Sequence, residues 1–123
     1  MDLHIDIRWL LERQVEVLPT QPAVHDYSAL AAAVGRHRVR TPSIDAEVDN
    51  AWRAAVLMHT VIRLRPLPAR NALFGAALAV AYLYAADEEI EIPHGGLVDL
   101  ARAIHLGRAD AFDTAVHLRA WLT

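Results

Sequence analysis

Between Asn71 and Ala86 the chain carries no charged side chain, and almost every position is apolar and small. A helix built from such a run has no polar face to turn toward water, so it must be enclosed. It is also shorter than the ~18 to 20 apolar residues that a transmembrane helix needs. The run is therefore expected to form the central, most buried helix of the fold, with the rest of the chain wrapped around it. Directly before it, Pro66 and Pro68 interrupt any helix arriving from the N-terminal side, and Asn71 is a candidate cap.

The remaining segments supply the wrapping elements. Asp6 can cap a helix with an apolar stripe at Ile7, Leu10, Leu11, Val15 and Leu18, ended by Pro19 and Pro22. Asp26 opens a second, with Tyr27, Leu30, Ala31 and Val34 inward and Gly35 available to end it. From Arg36 to Ala46 no helical period is visible, and the segment reads as a basic loop. Val48, Trp52, Ala55, His59 and Ile62 recur at steps of four and three, which predicts a helix over about 47–64 and leaves Asp49 and Arg53 as an exposed pair. Glu88 to Ile92 reads as a turn or a short extended piece. Leu97, Leu100, Ala101 and Ile104 predict a short helix ending at Gly107, and Asp110 can cap a last one with Ala111, Ala115, Leu118 and Leu122 inward. The expected fold is all-α: a compact bundle of about six helices with a buried central helix, in a single domain over residues 1–123.

Composition narrows the chemistry. With 54% hydrophobic residues among 123, the chain can build one core unaided. It has no cysteine, which removes disulfides, thiolate metal sites and cysteine nucleophiles. The acidic N-terminus lacks the layout of a secretory signal, so a cytoplasmic location is expected, without membrane association. A net charge of -3 argues against direct nucleic-acid binding. All 12 basic residues are arginines, and seven of them fall between Arg36 and Arg70. Without lysine, any anion must be held by arginine, histidine or backbone.

Within these bounds, no histidine is read as pairing with another histidine or a carboxylate in the i, i+4 arrangement of a zincin helix, and no metal site is expected. His59, on the apolar face of the third helix, reads either as a hydrogen-bonded core histidine or as a possible base. Glycine-rich phosphate loops and nucleophile elbows are missing from the sequence. Arg63, Arg65 and Arg70 flank the turn into the apolar helix, where free N–H groups also favour an anion. They read either as an anion site or as a solvated edge. Arg36, Arg38 and Arg40 divide in the same way between an exposed loop and a contact for an acidic partner.

The segment Arg65 to Gly75, RPLPARNALFG, resembles the loop of the Fic/Doc family, usually written HPFxDGNKR, which joins a long helix to a buried one. The likeness extends outward: Val24 to Val39 resembles that family's early helix and loop, Trp52 to Leu64 the helix leading into the motif, Ala72 to Glu91 the buried helix with its acidic turn, and Leu97 to Leu122 the closing pair. Chain length fits the Doc branch, the toxins of toxin–antitoxin modules. In that family the loop histidine takes a proton from the target hydroxyl, the acidic residue holds magnesium, and the following residues cradle nucleotide phosphates. Here Arg65 stands at the histidine position, Ala69 at the acidic one and Arg70 at the glycine, while Ala72 and Leu73 replace the lysine and arginine. Pro66 and Asn71 match, and Leu67 replaces phenylalanine.

The resemblance implies a Doc-like toxin component of a bacterial toxin–antitoxin module with a divergent loop, derived from nucleotidyl or phosphoryl transferases. It would act on a translation component with a nucleotide donor, without bound magnesium, and a small antitoxin would cover the groove beside the loop. Arg65, Pro66, Arg70 and Asn71 are the implied anion or nucleotide site, His59 a possible base, and Arg36, Arg38 and Arg40 a partner-binding flap that could pair with an extended peptide. The alternatives are a catalytically inactive module that recognises an antitoxin or peptide, and an enzyme of altered chemistry using Arg65, Arg70 and His59.

Overall fold

In a computed structural model, residues 3–20, 23–39 and 48–123 are described. They form six helices: α1 (Ile7–Val17), α2 (Tyr27–His37), α3 (Asn50–Leu64), α4 (Asn71–Ala85), α5 (Gly96–His105) and α6 (Ala111–Trp121). The extended structure among the described residues is one antiparallel bridge, Ile90 to Leu122, so the stretch after α4 takes the extended alternative. The all-α bundle expected from the sequence is what the chain forms.

Aspartate starts four of the helices. Asp6, Asp26, Asp49 and Asp110 accept hydrogen bonds from Trp9, Ala29, Trp52 and Asp113 main-chain N–H groups, and Asp110 with Asp113 completes a capping box. Helix α3 therefore begins at Asn50 instead of Glu47. Asp49 does not form an exposed pair with Arg53. It accepts both Nε and Nη2 of Arg119, at 2.7 and 3.0 Å, tying the start of α3 to α6, while Arg53 is buried.

A buried central helix is present, but it is α3. Every residue from Asn50 to Met58 is buried, and the helix packs against α2, α4, α5 and α6. Helix α4 lies beside it with Leu73 and Tyr84 exposed. Two of the polar residues buried on α3 have distant partners: Asn50 donates to Glu88 at 3.0 Å, and Thr60 accepts from Arg36 at 2.8 Å. Small residues on α4 instead permit close approach. A Cβ on Gly75 would lie 2.7 Å from Ile62 Cγ1 and 3.0 Å from the Met58 carbonyl oxygen.

Helix α2 is also rotated from its expected face. Ala29, Leu30, Ala33 and His37 are buried, whereas Tyr27 and Ala31 are exposed, and the helix passes through Gly35 to place Arg36 and His37 in its last turn. The cause is His37, which accepts the Ile5 N–H at Nε2 (2.9 Å) and donates from Nδ1 to Val34 O. Arg38 donates to Ile5 O at 2.9 Å, and Tyr82 OH to Leu3 O. Three side chains thus hold residues 3–5 against the bundle. In α1, Gln14 takes the buried position on the helix face and Val15 is exposed.

Candidate anion-binding cleft and apolar groove

The turn between α3 and α4 is anchored from below. Pro66 is buried, and its carbonyl accepts N–H groups of His25 and Asp26 at 2.9 and 3.3 Å. Leu67 is buried in the core. Asn71 does not cap α4. As the first residue of that helix it turns back, accepting the Leu67 N–H and donating to the Leu67 carbonyl, both at 2.9 Å. With the inner side of the turn held, Arg65, Pro68, Ala69 and Arg70 are left outward and exposed.

Both outward arginines have left-handed backbone, φ 52° at Arg65 and 65° at Arg70, a conformation in which a side chain costs energy that glycine would not incur. Arg65 ends α3, its N–H bonded to Val61 O at 3.0 Å. Arg70 is the N-terminal flanking residue of α4 and provides no side-chain cap. The N–H groups of Asn71, Ala72 and Leu73 consequently lack the intrahelical acceptors that later turns have. Arg65, Pro68, Ala69, Arg70, Asn71 and His105 line a cleft of about 320 Å³ at this end of α4. Among the described residues no carboxylate lies within ion-pair distance of Arg65 or Arg70.

Three of the four residues assigned to the anion site are therefore brought together around one opening, and the fourth, Pro66, supports it from beneath. His105, which approaches Arg65 Nη2 at 3.5 Å through Nδ1, escaped sequence reasoning because it comes from α5, forty positions away. Arg63 is separate from the cleft. It donates to the Ile104 and His105 carbonyls at 3.4 and 3.1 Å and so caps the end of α5.

His59 lies elsewhere as well. It is half-buried, and its Nδ1 sits 3.2 Å from Arg36 Nη1. A guanidinium only donates, so Nδ1 must accept and the neutral ring carries its proton on Nε2. The one ring lone pair, on Nδ1, is thus engaged by the Arg36 guanidinium. Burial, followed by the charges of Arg36 and Arg63, lowers its pKa, and Asp110 opposes them.

The proposed flap arginines are likewise divided. Arg36 is fixed by Thr60 and His59, Arg38 by Ile5, and Arg40 lies outside the described residues. Contrary to the sequence reading, one histidine does have a carboxylate four positions away: Asp113 and His117 share α6, but the aspartate belongs to the capping box and His117 Nδ1 donates to the Asp113 main-chain oxygen at 2.9 Å.

Next to the cleft, and sharing Ala72 and His105 with it, runs a groove of about 450 Å³ between α4 and α5. Its walls are Ala72, Leu73, Ala76, Leu97, Val98 and Ala101, with Arg102 and His105 as the polar members. Leu73 and Val98 form exposed rims. No helix among the described residues is long and apolar enough to cross a membrane. Searched against known protein families, the sequence matches none, and a search of curated proteins likewise returns no match.

Proposed function

We propose that the chain is a Fic/Doc-like module that binds without transferring: the cleft receives an acidic group of a small antitoxin-like protein, whose apolar side chains cover the neighbouring groove. The observation that carries this reading is the pair Arg65 and Arg70, without carboxylate partners among the described residues, at the mouth of a cleft beside an apolar groove. Guanidinium groups bind carboxylate or phosphate through two parallel hydrogen bonds, and the start of α4 adds a favourable field.

The left-handed backbone at Arg70 supports the resemblance, because the Fic/Doc loop carries glycine at that position. The chemistry of the loop supports binding over transfer. Arginine stays protonated and cannot act as the base. Magnesium is usually held through one or two carboxylates; the described lining of the cleft contains no carboxylate, and the Asn71 amide oxygen is taken by Leu67 N–H, so these residues do not fit a resident magnesium ion.

The reading is tested by incubating the protein with labelled ATP, magnesium and cell lysate, and separately by titrating the protein encoded beside it. Expected are no label transfer and binding that weakens with salt and with Arg65→Ala plus Arg70→Ala. Robust transfer that His105→Ala abolishes would establish the rival reading, an active toxin that modifies a translation component and uses an imidazole in the cleft as its base.

A further inference from the structure

We propose that the cleft and the groove together form a site for a small amphipathic anion, a single carboxylate or phosphate head on an unbranched aliphatic tail. The inference goes beyond the protein partner proposed above and does not depend on that partner's identity.

The two cavities adjoin, with Ala72 and His105 in both walls, and their linings differ: the cleft carries Arg65 and Arg70, whereas the groove is almost wholly apolar. At the head end stand Arg65 and Arg70, neither within ion-pair distance of a carboxylate among the described residues. Along the tail end, six of the eight wall residues are aliphatic, three from α4 and three from α5. A free phosphate would satisfy the first part and leave the second exposed to water. An uncharged hydrocarbon would do the reverse.

Length also limits the occupant. On α4 the lining spans Ala72 to Ala76, and on α5 it spans Leu97 to His105. At ~1.5 Å per residue these are roughly 6 and 12 Å, about one turn facing two. A docked helix with anchors over seven residues would need a wall of ~10 Å on both sides, whereas a short chain needs only one continuous trough. Charge at one end and an apolar trough ending within two turns therefore favour a medium-length aliphatic anion. A ligand of this kind would compete with a protein partner for the same surface.

The experiment is a calorimetric and amide-shift titration of butanoate, hexanoate, octanoate, 1-octanol and inorganic phosphate. Each buried methylene is worth roughly fourfold in affinity, so affinity should climb from butanoate to octanoate and octanoate should exceed octanol by about tenfold. Replacing both arginines by glycine, which suits their backbone, should erase the octanoate–octanol difference. Val98→Asp, at an exposed rim where the fold does not depend on it, should weaken octanoate and leave phosphate unchanged. Equal binding across the chain lengths, equal binding of octanol and octanoate, or indifference to Val98→Asp would each overturn the proposal. If the aliphatic anions fail while the neighbouring-gene partner still binds through Arg65 and Arg70, only this inference falls.

Discussion

Two sets of arginines that look alike in the sequence have opposite fates. At the C-terminal end of α2, Arg36 and Arg38 turn inward, the first onto Thr60 and His59 of α3 and the second onto the Ile5 carbonyl. In the turn before α4, Arg65 and Arg70 point outward on left-handed backbone, and the polar bonding that shapes the turn is made by Asn71 and Pro66 instead. The first region uses arginine to hold helices together. The second holds itself together without arginine and leaves two guanidinium groups for a ligand. An arginine becomes a site candidate when another residue has already satisfied the backbone around it.

The inward region should fail first under acid. His37 is fully buried and its pKa is lowered to about 4, chiefly by burial. Between pH 6.5 and about 4 the unfolded chain takes up a proton that the folded chain refuses. Stability should therefore fall by roughly 2–3 kcal/mol as pH drops through that window. His59, also lowered, acts in the same direction. Denaturant melts at several pH values check this, and His37→Gln, which retains an acceptor for Ile5 N–H, should flatten much of the slope.

Next in size, Arg36→Ala should cost about 1–3 kcal/mol, because Thr60 and His59 lose their shared donor in a half-buried setting. Asn71→Ala should cost about 1–2 kcal/mol by removing both bonds to Leu67, and should also weaken anion binding by loosening the turn that presents Arg65 and Arg70. A variant that lost stability but kept full anion affinity would separate the turn from the site. The smallest effect on stability belongs to the outward pair. Arg65→Gly and Arg70→Gly should each leave thermal stability unchanged or raise it by up to about 1 kcal/mol, since glycine adopts positive φ without steric cost. A marked loss would mean that these arginines are structural like Arg36, and the contrast between the two regions would disappear.

The same contrast explains what could be read before the structure. Asp6, Asp26 and Asp110 were legible as caps because capping depends on neighbours in sequence. Arg65, Arg70 and Asn71 were legible as a group because a short turn holds them together. Burial was not. Helix α4 has no polar face and yet shows Leu73 and Tyr84 to solvent, while α3 carries Asn50, Arg53 and Thr60 into the interior. Hydropathy counts a polar side chain as exposed unless a distant partner is known, and Glu88 and Arg36 are distant partners. His105 and Arg102 joined the site unannounced for the same reason, carried in by α5. The groove was hidden because Leu97 and Ala101 read as core positions of the α5 stripe while Val98, off that stripe and exposed, supplies the rim.

Whether Arg65 and Arg70 bind a ligand or hold the fold is decided by one titration. Inorganic phosphate and an acidic amphipathic peptide are titrated into the wild type and the Arg65→Gly, Arg70→Gly double variant at low and high salt. Expected is a variant that melts at or above the wild-type temperature, has lost at least about tenfold in affinity for the peptide at low salt, and no longer shows the salt dependence of the wild type. A variant that is equally stable and binds both ligands as tightly as the wild type would contradict that expectation, and would make the two arginines a solvated edge.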